Sequence, residues 1–362
     1  MLKIAQLVGA RPQFIKCAPV QKELDRLGVG HFLIHSGQHY DEAMSEAFFK
    51  ELNIAPPKHQ LNWPLQSTEA IKIVSRAIAD VLEREKPNVL IVYGDTNTTL
   101  AGALAAEKTG TPLAHIEAGL RSFNRAMPEE YNRVKTDALS KWLFCPNEES
   151  VENLSKEGIF TTHDRWVECT GDVMLDNLLH LLNNRTTAHL SKWQNTPFAL
   201  LTLHRNFNVD HIVRLKSLIN NVLKLAELQN TSVLWILHPR VQKSLQTDSE
   251  LIQISRHPLL HLEEPMSYTS TIHHTIKAEW VMTDSGGLQK EAGYLGKRVL
   301  ILRAETEWME WVDTGQAFLV DDDLNKMVLA LSVPITEKKD LNASFKSASA
   351  SIVKTLINTL KP

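Results

Sequence analysis

A chain of 362 residues is long for a single core and predicts two domains. With 43% hydrophobic and 22% charged residues the composition is globular; 39 Lys and Arg against 42 Asp and Glu leave a net charge of −3, which gives no electrostatic case for nucleic acid or an anionic membrane as partner. Cys17, Cys145 and Cys169 stand far apart and form no CxxC pair, so neither a disulfide framework nor a zinc site is expected.

The chain opens directly on an apolar strand, residues 3–8, without a signal-peptide pattern, and no apolar run approaches the ~20 residues of a membrane span. A cytoplasmic enzyme is the expectation. The strand ends at Gly9-Ala10-Arg11-Pro12-Gln13, and an amphipathic helix follows to about Leu27. Strand, glycine turn and helix place backbone N–H groups and Arg11 where an anion can dock. Lys16 lies one turn into that helix; it could point the same way, but on spacing alone it reads as a solvated surface lysine. A second strand at 31–35 ends in Ser36-Gly37-Gln38-His39-Tyr40-Asp41. A helix over 68–86 carries Ile71, Val74, Ile78 and Val81 at helical spacing. Strand 88–93, helix 98–108 and strand 112–115 come next, then a helix over about 129–143, a strand at 143–146, a helix over 148–158 and a strand at 166–170. This alternation predicts parallel strands joined by right-handed crossovers.

A polar, poorly periodic stretch at 183–197 reads as the end of a helix and a connector, with the boundary between halves nearby; the domains are expected at 1–170 and 171–344. The alternation then restarts. Strands are expected at 198–203, 232–237, 259–262, 280–283 and 297–302, with helices over about 211–228, from 268, from 288, over 323–331 and over 342–360. The fold class read from the pattern is α/β: two Rossmann-like, doubly wound domains facing across a cleft.

The chemistry concentrates between Gly94 and Arg133. Two apolar strands break into acidic residues, Asp95 and Glu117, and Glu129 and Glu130 follow with Asn132 and Arg133 close behind. Ligands of open α/β sheets sit beyond the carboxyl ends of the strands. Either acid alone could be a helix cap or a first-turn acid favoured by the helix dipole. Several converging carboxylates raise one another's pKa, which is what acid/base chemistry uses. In the second half, Asp284-Ser285-Gly286-Gly287 opens a helix: Ser285 can cap it, and Gly286 and Gly287 let a phosphate approach the backbone. Glu291, about a turn in, is placed to accept hydrogen bonds from a ribose diol. His204, Arg205 and His238 end strands of the same unit and suit a diphosphate. The substrate expected from these residues is a nucleotide sugar. The lack of GxxxxGK[ST] and of GxGxxG argues against an ATP-type P-loop and a tightly bound NAD.

These ordered motifs resemble the non-hydrolysing UDP-N-acetylglucosamine 2-epimerases along nearly the whole chain. The resemblance rests on Gly9–Gln13, Ser36–His39, Tyr93–Thr96, His115–Arg121, Pro128–Glu130 with Asn132-Arg133, Thr202 with His204-Arg205, Thr283–Ala292, and Arg303 with Thr306-Glu307. It implies a glycosyltransferase-B-type fold in which the last helix, 345–362, returns to the first domain. It also implies a homodimer that needs neither metal nor NAD. The implied reaction interconverts UDP-N-acetylglucosamine and UDP-N-acetylmannosamine for surface polysaccharide precursors. UDP is eliminated to 2-acetamidoglucal, then re-added. Carried over by position, Asp95, Glu117 and Glu129 are acid/base candidates, and His204, aided by Arg11, would stabilise departing UDP. Lys16 would touch the substrate or an activating second UDP-sugar. Arg133, Arg205, His238, Ser285, Gly286, Gly287 and Glu291 complete the binding set. Gln13, Phe207 and Trp308 depart from the usual pattern, and Gln13 and Trp308 resemble a sister subgroup acting on diacetamido-glucuronate or N-acetyl-fucosamine-type substrates. Other readings are a hydrolysing epimerase, a glycosyltransferase and a catalytically silent UDP-sugar binder.

Overall fold

The computed structural model describes residues 2–38, 48–64, 67–183, 193, 196–335 and 346–360. The chain divides into two compact units, one of residues 1–183 with 345–362, the other of 184–344. The expected strand-end residues His39–Asp41 and the expected start of the last helix at 342 lie outside the described residues.

In the first unit, strands β1 (Lys3–Val8), β2 (Gly30–His35), β3 (His59–Gln60), β4 (Val89–Tyr93), β5 (Leu113–Ile116), β6 (Trp142–Cys145) and β7 (Trp166–Cys169) form a parallel sheet in the order β3-β2-β1-β4-β5-β6-β7. Helices α1 (Arg11–Arg26), α2 (Ala70–Glu85), α3 (Asn97–Thr109), α4 (Pro128–Leu139), α5 (Glu148–Lys156) and α6 (Val173–Asn183) intervene. The central strands are buried on both faces, which is why β4 reads as the unbroken apolar run Val-Leu-Ile-Val-Tyr. Leu7, Ile34, Leu90 and Val92 pack with Val74, Ile78 and Leu82 of α2 and the alanines of α3. The chain builds outward from β1 through β2 to β3, then returns to β4 on the other side. The carboxyl ends of β1 and β4 therefore lie at a topological switch point, where such sheets bind ligands.

The second unit repeats the plan with β8 (Phe198–Thr202), β9 (Ser232–Ile236), β10 (Leu260–Glu263), β11 (Trp280–Thr283), β12 (Arg298–Ile301) and β13 (Ala317–Leu319), in the order β10-β9-β8-β11-β12-β13. Its switch point falls between β8 and β11, whose carboxyl ends lead to His204 and Asp284. Helices α7 (Asn206–Val209), α8 (Ile212–Gln229), α9 (Pro239–Thr247), α10 (Ser249–Ile254), α11 (Tyr268–Lys277), α12 (Gly286–Tyr294), α13 (Met309–Asp313) and α14 (Leu324–Ser332) connect the strands. Leu218, Val222, Trp235, Met282 and Leu300 belong to its apolar core.

The last helix, α15 (Ala348–Leu360), belongs to the first unit. The Asp176 carboxylate of α6 accepts hydrogen bonds from the backbone N–H groups of Ala348 and Ser349 at 3.1 and 2.7 Å, supplying an anion where the α15 dipole is positive. Trp142 donates Nε1–H to Thr359 at 2.8 Å at the other end. Helix α6 therefore stays with the first unit, and the division falls after Asn183 instead of at the expected 170. Among the described residues no helix is long and apolar enough to cross a membrane.

Candidate active site

Asp95 follows β4 and is not a helix cap. Thr96 takes that role, its hydroxyl accepting the Thr99 N–H, and the Asp95 carboxylate pairs with the buried guanidinium of Arg133. Asn132, one residue earlier on α4, donates to the Asp95 carbonyl at 2.9 Å and to Asn97 at 3.1 Å. One face of α4 thus holds the Asp95 turn by side chain and backbone together. Glu129, half-buried in the first turn of α4, precedes Asn132 and Arg133 by three and four residues and shares their face. Its neighbour Glu130 turns inward and accepts the N–H groups of Ser122 and Phe123 at 2.9 and 3.1 Å.

Glu117 follows β5 with φ of 75°, a left-handed backbone that costs a non-glycine residue of order 1 kcal/mol or more. Its N–H and that of Ala118 both donate to the Phe144 carbonyl, at 3.0 and 3.1 Å, which fixes the bend. The carboxylate meets Lys16 Nζ at 2.5 Å, with both side chains buried. The surface-lysine reading of Lys16 is therefore corrected: α1 packs against β1 and β4, and Lys16 is only 6% exposed. Gly94 lies against this pair. A Cβ there would stand 2.9 Å from Lys16 Nζ and 3.4 Å from Glu117 Oε1, on a backbone with φ of 62°. Gln13 locks the same region: its Oε1 accepts the Gly9 and Ala10 N–H groups, and its Nε2 donates to the Tyr93 carbonyl and Thr99 hydroxyl. A glutamate there could not make the two donations. Arg11, at the start of α1, lies over the Phe48 ring at 4.7 Å.

In the second unit, Asp284, named in the motif at the helix start but given no role of its own there, is the anchor. Buried beyond β11, it accepts the His204 N–H at 3.0 Å, the Arg205 N–H at 3.0 Å and Asn208 Nδ2 at 3.0 Å. Burial alone would raise this carboxyl, but the His204 charge and these hydrogen bonds outweigh it and hold the pKa below the ordinary value. Asp284 Oδ1 also meets His204 Nδ1 at 2.9 Å. That contact orients the ring and makes Nε2 the nitrogen that can meet a ligand. His238 caps α9 with its ring centroid 6.2 Å from that of His204. Ser285 accepts the Leu288 N–H and caps α12, with Gly286 and Gly287 as the first helical residues. Glu291 is buried within that helix. A Cβ on Gly286 would stand 2.7 Å from Glu307 Oε1, so that carboxylate lies against the helix start. Arg205 and Arg303 reach Glu307 at 3.8 and 3.1 Å. Arg303 Nη1 is buried with no hydrogen-bond partner among the described residues, a donor suited to a ligand oxygen. Its sequence signal is its place just beyond β12. Trp308 is buried with Lys290 Nζ 3.8 Å from its ring centroid, while Phe207 is exposed beneath the Arg214 guanidinium. Among the described residues no group of three or more His, Cys, Asp or Glu side chains is placed to hold a metal ion.

The family model described as UDP-N-acetylglucosamine 2-epimerase matches residues 22–354. The chain belongs to the UDP-N-acetylglucosamine 2-epimerase family. Its similarity to other members extends over most of each chain. It is 40% identical over 323 residues to the UDP-2,3-diacetamido-2,3-dideoxy-D-glucuronate 2-epimerase of Pseudomonas aeruginosa, covering 88% of both chains. The crystal structure of the Methanocaldococcus jannaschii UDP-GlcNAc 2-epimerase in complex with UDP-GlcNAc and UDP superposes with a TM-score of 0.90 at 35% identity, over 99% of this chain and 100% of that one. Acinetobacter baumannii MurG, a glycosyltransferase-B-type protein, shares the fold with a TM-score of 0.56 at 11% identity over 99% of this chain and 100% of that one. The expected class, two parallel-sheet α/β units of this type, is the one observed, and 2-epimerase membership makes the chain an isomerase.

Proposed function

We propose that the chain interconverts UDP-N-acetylglucosamine and UDP-N-acetylmannosamine without hydrolysis, acting as a homodimer. The observation that carries this reading is the pairing of two strand-end carboxylates with separate buried cations, Asp95 with Arg133 and Glu117 with Lys16. Inversion at a carbon needs one group to take a proton from one face and another to deliver a proton to the other. In the proposed reaction the C1–O bond breaks and UDP keeps its electron pair. The C2 proton passes to a carboxylate and a C1=C2 double bond forms. UDP then re-adds at C1 as a proton reaches C2 from the opposite face. Asp95, Glu117 and Glu129 are the acid/base candidates of the first unit. His204, held by Asp284, and the Arg205, Arg303 and α12 start of the second unit suit the developing diphosphate charge.

A diacetamido-uronate substrate is a second reading, supported by the P. aeruginosa relative. Both are tested by incubating the protein with each UDP-sugar and resolving products by NMR. The first reading expects a mixture of gluco- and manno-configured UDP-N-acetyl sugars with the nucleotide still attached. Turnover of the uronate alone would select the second. Stoichiometric free UDP with free N-acetylmannosamine would contradict both.

A further inference from the structure

His115 and Asp137 sit wholly buried beneath the two acidic turns. His115 Nδ1 meets Asp137 Oδ1 at 2.6 Å and His115 Nε2 meets the Gly94 carbonyl at 2.7 Å. A carbonyl and an ionised carboxylate can only accept, so both ring nitrogens donate. The other Asp137 oxygen accepts the Gly119 N–H at 3.1 Å and lies 2.8 Å from Arg121 Nη1. Arg121 in turn forks onto Glu157, with both contacts at 2.7 Å. Burial alone would raise the Asp137 carboxyl, but His115 and Arg121 outweigh it and hold its pKa below the ordinary value.

The chain of contacts ends on two backbone groups. One is the carbonyl of Gly94, immediately before Asp95. The other is the N–H of Gly119, two residues after Glu117. A buried ionic cluster contributes little net stability over an apolar filling. This one ties the turn after β4 to the turn after β5 through a single imidazole and a single carboxylate. Neither side chain is among those expected to meet substrate. Resting on the epimerase reading above, we infer that His115 and Asp137 are positioning residues that fix the separation of Asp95 and Glu117. A displacement near 1 Å at reacting groups can cost about 10²-fold in rate.

The test uses the full chain with His115→Gln and Asp137→Asn, checked for folding by circular dichroism. For each, kcat, KM and C2 deuterium exchange with UDP-N-acetylglucosamine are measured alone and in a Glu117→Gln background. The expected result for folded variants is a kcat lowered by about 10–100-fold, a KM changed by less than about threefold, and a much smaller effect once Glu117 is already replaced. Unchanged kcat, a change confined to KM, or the same fold-loss in both backgrounds would overturn the inference. If the variants do not fold, wild-type protein labelled with 15N-histidine decides. Two protected ring N–H signals for His115 that shift on UDP-sugar binding support it, and a bare ring nitrogen or indifference to the ligand refutes it. Absence of C2 exchange in wild type would instead fault the epimerase reading itself.

Discussion

Glu117→Gln is expected to lower kcat by about 10²–10⁴-fold, the range for loss of a general acid or base, with a much smaller effect on UDP affinity. Gln keeps the side-chain shape and can still accept a hydrogen bond from Lys16, so geometry is largely preserved while the proposed proton-transfer group is gone. The charge balance is not preserved. Lys16, paired with Glu117 at 2.5 Å and nearly inaccessible to water, becomes an uncompensated buried cation. Breaking a buried pair from one side costs up to about 3–5 kcal/mol. The variant should therefore be less stable as well as slower. The double change Lys16→Met with Glu117→Gln separates the two effects: stability in urea titration should recover, and kcat should not. Full activity in a folded Glu117→Gln protein would remove Glu117 from the proposed chemistry.

Asp284→Asn should lose both rate and stability. The native carboxylate accepts from two backbone N–H groups, from Asn208 and from the His204 ring. Asn offers one oxygen and turns an NH₂ toward donors, and each stranded donor costs about 1–3 kcal/mol. The His204 ring loses the partner that orients it, so the proposed support of departing UDP weakens, for about 10²–10³-fold in kcat. His204→Gln provides the contrast: the ring is 40% exposed, so that variant should match the loss of rate while keeping most of the stability. The pH dependence carries a sign. Asp284 and Asp137 have pKa values lowered on folding, so the unfolded chain binds protons first as acid is added. Their contribution is complete above the unfolded value of about 3.9 and fades as the pH falls below it. Thermal melts across that range should show a shallower acid loss for Asp284→Asn than for wild type.

The sheet framework was legible because buried parallel strands are mostly apolar runs. Residues 3–8 and 280–283 coincide with β1 and β11. The elements without a sequence expectation are short or polar. Strands β3 and β13 have two and three residues, and helices α9, α10 and α13 carry too few apolar positions to show a period. Asp95 and Glu117 were legible as strand-end acids, but their partners were not. Lys16 pairs with a residue 101 positions away, and His204 is anchored by Asp284, 80 positions away in sequence. Such pairings arise only when the sheet order brings distant strand ends together. Asp137 hides on a helix where its spacing is that of any polar surface position. Gln13 is the converse: it departs from the family pattern, yet its amide satisfies four neighbouring groups.

The most direct measurement is NMR of UDP-N-acetylglucosamine turned over in deuterated buffer by wild type, Asp95→Asn and Glu117→Gln. Wild type should replace hydrogen by deuterium at C2 in both epimers, each recovered with the nucleotide re-attached, and each variant should slow that replacement by about 10²-fold or more. Manno-configured product from wild type that still holds its original C2 hydrogen would contradict proton removal and return between opposed carboxylates.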